Sequence, residues 1–460
     1  MIGQVELQEL GANDALKVIE RLKAAGHEGL LVGGCVRDIL LNRKPEDFDV
    51  ATSALPDQVI RLFPRTIDIG QAFGVILVLP DNPKDTSPPI EVATFREESG
   101  YSDHRHPDRI VFSNARADAL RRDFTMNGMF LDTATFKLLD FVNGESDLRA
   151  GLLRAIGDPK ERFAEDALRI LRAARFAAGF DMEIVSETRV AAAEAATTLA
   201  HISAERIRDE LIKGLTRPHP DRFLRLMHEL GILDVILPEV AALAGCTQPA
   251  QFHPEGDVMV HTELVLANLP PDPPPALALA ALLHDIGKPP TRTVSDRIRF
   301  NDHHRVGGDM AEVICRRLAI PNTVRQDVVA MVHRHMSFMH LQRMKQSTYT
   351  RFLAAQTIDM EIALHRADCL ASHGDTANCD LALGRIEELK QQGNGTVLAP
   401  PLITGKDLKA LGLPTGPAYR KVLREVHDAQ LDGRVLNRES ALEMAQNLFS
   451  EFTRNSDSSF

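Results

Sequence analysis

LVGGCVRDILLNRKPEDFDVAT, residues Leu31 to Thr52, decides how the N-terminal part of this chain is read. Leu30–Val32 have the apolar character of a short buried strand, and Gly33-Gly34 stop it. Cys35–Asn42 read as the start of a helix, and Phe48-Asp49-Val50 return to strand. Strand side chains alternate faces, so Asp47 and Asp49 are expected on one side. Two adjacent carboxylates repel, and a divalent cation is the usual remedy. Mg²⁺ combines one or two carboxylates with substrate phosphates. A glycine turn ahead of a helix offers backbone N–H groups to those phosphates. For an Asp-x-Asp alone, a solvated acidic turn is the plain alternative.

A third acid follows in IEVATFR, where Glu91 alternates with Val92 and Thr94. On an adjacent strand Glu91 would converge with Asp47 and Asp49. Three carboxylates can hold two Mg²⁺ ions about 4 Å apart, one activating an attacking hydroxyl and the other steadying a triphosphate leaving group. That is the chemistry of nucleotidyl transfer.

The 460 residues are long enough for several domains, with 44% hydrophobic and 25% charged residues. No apolar run approaches 18 residues, so no membrane span is expected. MIGQVELQELGANDALK lacks a charged-then-apolar leader. Five cysteines, Cys35, Cys246, Cys315, Cys369 and Cys379, form no CxxC pair. Such a sparse, odd set fits reduced thiols and a cytoplasmic location. The net charge of −11 disfavours a non-specific nucleic-acid coat but leaves room for a local basic face.

Residues 1–145 mix strand and helix signals, with strands expected at Gly29–Val32, Phe48–Ala51, Gly74–Leu79, Ile90–Phe95, Met129–Leu131 and Leu138–Phe141. From about residue 146 strand signals almost vanish. Asp158–Phe180, Ser186–Leu199, Ser203–Leu215 and Asp221–Leu230 carry helical apolar spacing. The expected fold is an α+β N-terminal domain, a mixed sheet with helices, followed by all-α segments. LPPDPPP at 269–275 reads as a linker between two helices.

Five further segments appear in order. EVATFREESGYSDHRHPDRIVF (91–112) includes Tyr101, Asp103, Arg105, His106 and Pro107. RRDFTMNGMF (121–130), DFVNGESDLRAGLLRAIGDPKERFAEDALRILRAARF (140–176) and HISAERIRDELIK (201–213) follow. With GGxVRD…DFD, they resemble motif A, the flexible loop, motif B, motifs C and D, and motif E of the class II polymerase-beta-like nucleotidyltransferases. These are the bacterial and eukaryotic CCA-adding enzymes and the bacterial poly(A) polymerases. The resemblance covers residues 27–230. It implies template-independent addition of C, C and A to a tRNA 3′ end from CTP and ATP, with Mg²⁺ and release of pyrophosphate.

The residue chemistry runs parallel. Asp47, Asp49 and Glu91 would be catalytic, with Asp47 and Asp49 on Mg²⁺. Gly33, Gly34 and Arg37 would handle the triphosphate. Arg122 offers a fork of donors and Asp123 an acceptor, a pair suited to ribose hydroxyls; an interdomain ion pair is the alternative. Asp166 and Arg169, at i and i+3 of a helix, would share a face and read a base edge. A Glu165–Arg169 surface salt bridge is the bland alternative. Arg172 would add a contact or clamp a phosphate. In place of the basic pair usual in poly(A) polymerases, IDIGQAFGVILV (67–78) has Gln71-Ala72 beside Phe73, which argues against poly(A) tailing. The full-length loop at 97–110 argues against a CC-adding specialist and leaves an A-adding specialist open.

A second constellation lies further on. His261 stands in VHTELVL, His284-Asp285 in LALAALLHDIGKP, and Asp368 in LHRADCLASHGD. The pattern resembles the HD phosphohydrolase superfamily. His303, chosen over His304, and His335, chosen over His333, are further candidates. Imidazoles and carboxylates from several helices suit a transition metal, whose bound water could attack a phosphate ester; capping of helices is the alternative. The expected domains are a catalytic head 1–145, a helical neck 146–230 for nucleotide and RNA, a helical body with the HD domain 231–375, and a tail 376–460. Between Lys406 and Glu425 the tail carries a modest basic patch that could touch tRNA. A metal-dependent phosphohydrolase is the alternative of a different class.

Overall fold

The computed structural model describes residues 4–70, 74–100, 108–251, 253–392 and 395–457. Gln71, Ala72 and Phe73, and the loop residues Tyr101, Asp103, Arg105, His106 and Pro107, lie outside the described residues. The chain forms two compact units, Met1–Ala241 and Ala242–Phe460.

The first unit is built on a seven-stranded mixed sheet. Its strands are β1 (Gly29–Val32), β2 (Asp49–Thr52), β3 (Thr66–Gly70), β4 (Val75–Val78), β5 (Ile90–Thr94), β8 (Met129–Asp132) and β9 (Lys137–Asp140). The order across the sheet is β3-β4-β5-β2-β1-β8-β9. β6 (Arg96–Ser99) and β7 (Arg109–Phe112) form a separate hairpin. β1 is buried along its whole length and runs antiparallel to β2 and β8. Its register sets Val32 opposite Asp49. β2 is parallel to β5 with Val50 beside Val92, which brings Asp49 and Glu91 alongside each other. Phe95, Phe124 and Phe130 are fully buried, and Phe95 meets Phe130 edge to face at 6.1 Å.

The strands expected at 29–32, 48–51, 74–79, 90–95, 129–131 and 138–141 are all present within a residue or two. β3 is an addition. Its Ile67 and Ile69 are 46% and 55% exposed, so its apolar alternation faces outward and gives no core signal. The remainder is almost strand-free, as expected, apart from four very short strands among its described residues. Leu152–Leu153 (β10) pairs with Glu183–Ile184 (β11), and Arg292–Val294 (β12) with Ile298–Phe300 (β13). These two- and three-residue strands are too short for periodicity to register.

The continuous helix expected over Asp158–Phe180 is overturned. It is two helices, Pro159–Glu165 and Leu168–Gly179, separated by Asp166 in an extended conformation (φ −149°, ψ 102°). Asp166 Oδ1 accepts from the Leu168 N–H at 3.1 Å and starts the second helix as a cap. A short polar side chain that competes for backbone groups breaks the helix where apolar spacing runs on undisturbed.

The second unit is helical apart from the β12–β13 hairpin among its described residues. One core joins Phe338, Phe352 and Leu353 to Ile362 and Ile386, and another joins Leu408, Val422 and Val426 to Phe449 in the C-terminal helices.

Close approaches in the first unit rest on a few glycines. At Gly144, which opens the helix Gly144–Ala150, a Cβ would lie 2.2 Å from the Thr125 carbonyl oxygen. Gly179 has nothing within 4 Å of such a Cβ. Gly144→Ala is therefore expected to cost about 1–3 kcal/mol. Gly179→Ala should be neutral or gain about 0.4–1 kcal/mol by restricting the unfolded chain. Urea denaturation of both variants checks this; equal midpoints would refute it.

Candidate active site and a second, histidine-rich centre

At the end of β1 the chain turns at Gly33, whose φ of +74° suits glycine. A Cβ there would sit 3.2 Å from Arg122 Nη1. The helix Gly34–Leu40 starts at this turn and carries Arg37. A cleft of about 510 Å³ opens here. Gly33, Gly34, Arg37, Asp47, Asp49, Arg122, Asp123, Asp166, Arg169 and Arg172, all singled out from sequence, line it together. Glu91 is not part of this lining but is the in-register neighbour of Asp49.

Burial, with the negative charges of Glu91 and Asp47, pushes the Asp49 carboxyl up to about 7. Burial and Asp47 raise Glu91 too. Of the surrounding cations, Arg122 acts on both carboxyls and Arg96 on Glu91 alone. Asp49 and Glu91, both raised beside the negative charge of Asp47, form with it a donor set that a divalent cation would relieve.

The basic side chains of the cleft are pre-oriented. Arg37 Nη1 donates to Asn127 Oδ1 at 2.9 Å, Nη2 pairs with Asp38, and the guanidinium lies 4.2 Å from the Phe180 ring centroid. Arg122 donates through Nε and Nη2 to Asp118 Oδ2, at 3.2 and 2.9 Å. Asp118 is 1% exposed and also holds Arg121 at 2.7 Å. Asp123 accepts from Arg172 at 2.6 and 2.9 Å, from Asn127 at 3.1 Å and from the Phe124 N–H at 2.8 Å. These contacts hold its carboxyl low against the opposing effect of burial. Asp123 therefore anchors the cleft arginine Arg172, which Glu210 contacts at 3.4 Å from another helix.

Asp166 and Arg169 do not share a helical face, because Asp166 lies between helices. They meet the cleft by separate routes. Asp166 Oδ2 accepts from Arg206 at 2.7 Å, and Arg169 pairs with Glu165 at 2.6 Å and donates to the Arg121 carbonyl at 3.3 Å. The Glu165–Arg169 pair named as the bland alternative is thus present alongside the cleft position. Sequence reasoning missed Arg121, Asn127, Phe176 and Arg206 as cleft residues. Arg206 lies inside the HISAERIRDELIK segment. Its partner Asp166 is 40 residues away.

The second unit gathers the other candidates. The histidines His284, His303 and His335 each donate Nδ1–H to a backbone carbonyl three residues back, at 2.8 Å. A carbonyl can only accept, so Nδ1 is the protonated nitrogen, and in the neutral ring each Nε2 carries its lone pair inward. They face Asp285: His284 Nε2 lies 3.2 Å from Oδ2, His303 Nε2 3.5 Å and His335 Nε2 3.9 Å from Oδ1. The Nε2 atoms of His303 and His335 are 3.1 Å apart. Lone pairs so placed fit a cation between them. His261 Nε2 is 3.0 Å from Asp368 Oδ1 and 3.8 Å from Asp285 Oδ2. Burial drives His335 down to about 3 and lowers His303. Burial also acts downward on His261, but Asp368 and Glu255 lift it to about 9. His333 points elsewhere, toward Asp309 at 3.7 Å. Gly287 makes the convergence possible, since a Cβ there would lie 2.1 Å from the His303 carbonyl oxygen. A cavity of about 670 Å³ opens beside these groups. Among the described residues the three groups of ligand-type atoms lying within 4.8 Å of one another are all here, so the Asp47, Asp49, Glu91 trio is more open.

Three family models match: the poly A polymerase head domain over residues 30–154, the probable RNA- and SrmB-binding site of polymerase A over 181–243, and the HD domain over 258–371. A CCA-adding enzyme of Lactobacillus johnsonii is 30% identical over 93% of this chain and 95% of its own length. A CCA-adding enzyme of a Geobacillus species is 45% identical over 47% of this chain and 53% of its own. The chain thus spans about half the length of the relatives it matches at the highest identity. The crystal structure of the Bacillus stearothermophilus CCA-adding enzyme in complex with CTP superposes with a TM-score of 0.73 at 25% identity, covering 97% of this chain and 99% of that one.

The charge balance around Asp49 generates a pH prediction. Its folded pKa lies above the ordinary value of 3.8, so its contribution to stability is complete below pH 4 and is lost as pH rises to 7. A divalent cation competes with that proton. The Mg²⁺-induced rise in Tm is therefore expected to be larger at pH 8 than at pH 5, and Asp49→Asn should remove the difference. Scanning fluorimetry at both pH values checks it; a pH-independent shift, the same in both proteins, would refute it.

Proposed function

Because the chain belongs to the family of CCA-adding enzymes, we propose that it adds C, C and A to the 3′ end of tRNA, using CTP and ATP. The observation that carries this is one cleft shared by the acidic pair, the glycine turn and the base-reading candidates Asp166 and Arg169. Asp47, Asp49 and Glu91 would hold the metal, which we take to be Mg²⁺. When bound, such cations neutralise triphosphate charge and acidify the attacking 3′-hydroxyl.

The protein's own groups do the rest. Backbone N–H groups after Gly33 would meet phosphate oxygens, and Arg37, clamped by Asn127 and Asp38, would present its outer face to the same charge. Arg122 keeps Nη1 toward Gly33 while Asp118 fixes its other nitrogens, a placement suited to the ribose. Asp166 and Arg169 would pair with the base edge, with Arg206 setting the Asp166 carboxylate. Six arginines against four aspartates in the cleft favour a polyanionic ligand. We further propose the division into head 1–145, neck 146–230, HD-bearing body 231–375 and tail 376–460, with the tail's basic patch toward tRNA, and a cytoplasmic location. Among the described residues no helix is long and apolar enough to cross a membrane.

The inward lone pairs around Asp285 favour a second reading for the other unit, a metal-dependent phosphohydrolase centre. His261, His284, Asp285 and Asp368 would hold a transition metal, with His303 and His335 in support. A metal there would supply Lewis acidity toward a phosphate ester.

The test uses Mg²⁺ with tRNA lacking CCA, tRNA ending in CC, and an unrelated oligomer, with CTP, ATP or both, followed by 3′-end sequencing. CCA on the first RNA and no long A tail on the oligomer is expected. A single A only on tRNA ending in CC would make the enzyme an A-adding specialist, and long A tails a poly(A) polymerase. Alanine at Asp47 and Asp49 should bring addition to background while leaving phosphatase activity in place. Asp166→Ala should weaken choice between CTP and ATP roughly 5- to 150-fold, the worth of one bidentate base contact. The CTP/ATP incorporation ratio is the readout, since loss of its capping bond could lower overall activity without touching selectivity.

A further inference from the structure

Glu255 shares a group of close ligand-type atoms with His253 and His261 and makes the tightest contact to His261. Glu255 Oε1 lies 2.8 Å from His261 Nδ1, and the far ring atom, Nε2, faces Asp368 at 3.0 Å and Asp285 at 3.8 Å. Glu255 and His261 are 5% and 0% exposed at their side chains. The same oxygen lies 2.9 Å from His253 Nδ1 and accepts from Gln248 Nε2 at 3.2 Å. The remaining oxygen, Oε2, is buried with no hydrogen-bond partner, and the His261 ring nitrogens meet Glu255 and Asp368 as close charge contacts short of hydrogen-bond geometry.

The loop that carries Glu255 is held at both ends. The Gln248 N–H donates to the Gly256 carbonyl at 3.0 Å, and Val258 N–H to Cys246 at 3.1 Å. Asp257 then caps the helix Val258–Ala267, accepting from Met259 N–H at 2.9 Å. The carboxylate is thus placed by backbone rather than by a flexible stem. Gln248 also accepts from Lys288 at 2.8 Å, and Lys288 lies 2.7 Å from Asp285. The other three inward histidines are oriented by carbonyls of their own helices or turns. His261 sits within a helix, and its Nδ1 turns instead to a carboxylate from the preceding loop.

Building on the metal-centre proposal above, we infer that Glu255 is a positioning residue for that centre. It takes the Nδ1 proton of His261, fixes the tautomer and ring plane, and so leaves Nε2 to a metal shared with Asp285 and Asp368. A carboxylate behind a ligating imidazole raises its basicity and commonly governs metal affinity 10- to 100-fold.

The test is a Co²⁺ titration of the full chain, followed by visible absorption, in an Asp47→Ala, Asp49→Ala background that silences the head site. Glu255→Ala is expected to weaken Co²⁺ binding roughly 10- to 100-fold and alter the d–d spectrum. Glu255→Gln, which keeps a neutral acceptor in place, should fall between that variant and the parent. A Glu255→Ala protein of lower Tm but unchanged Co²⁺ affinity and spectrum would show a packing role and overturn the inference, leaving the metal centre standing. A parent that binds no Co²⁺ would overturn the metal centre and the inference with it. Should the alanine variant fail to fold by circular dichroism, the glutamine variant decides: severalfold weaker binding supports the role, and parental binding overturns it.

Discussion

Three carboxylates on neighbouring strand ends repel one another, and much of the first unit answers that repulsion. β1, β2 and β5 pair so that Val32 faces Asp49 and Asp49 runs beside Glu91. Close packing of β1 on both faces leaves no freedom to spread the acids apart. The strain is visible as the raised Asp49 and Glu91 carboxyls. A site of this kind is more stable with a cation present than without, which couples ligand loading to folding.

The positive half of the cleft obeys the complementary rule. An unpaired guanidinium in a partly buried wall is costly, and each cleft arginine has a carboxylate behind it: Asp38 for Arg37, Asp118 for Arg121 and Arg122, Glu165 for Arg169, Asp123 for Arg172 and Asp166 for Arg206. Such pairs add little net stability once desolvation is counted. Their effect is directional. They aim the remaining N–H groups and keep long side chains from roaming, so that a polyanionic ligand would meet donors already in place.

The second unit solves a related problem with neutral donors. Backbone carbonyls take the Nδ1 protons of His284, His303 and His335, which turns three buried imidazoles into inward acceptors around one aspartate. Gly287 and Gly307 allow the two segments that carry Asp285 and His303 to touch, with the Gly307 position 3.3 Å from the Gly287 nitrogen when a Cβ is built there.

The sequence by itself determined the class of the fold and the principal candidates of both centres. Strand alternation is a local property, so the central strands and the Asp47, Asp49 and Glu91 carboxylates could be read from their own segments. The HD pattern was equally local for His284-Asp285. Tertiary structure decided the rest because the deciding contacts are long-range. Asp166, at the helix break, is held by Arg206 from 40 residues on, a contact to which apolar spacing is blind. That the His335 ring turns toward Asp285 and the His333 ring toward Asp309 is a matter of tertiary packing. Asp123, read as a ribose acceptor beside Arg122, also accepts from Arg172, Asn127 and a backbone N–H. Donor and acceptor capacity is finite, and only the folded chain shows how much of it is already spent.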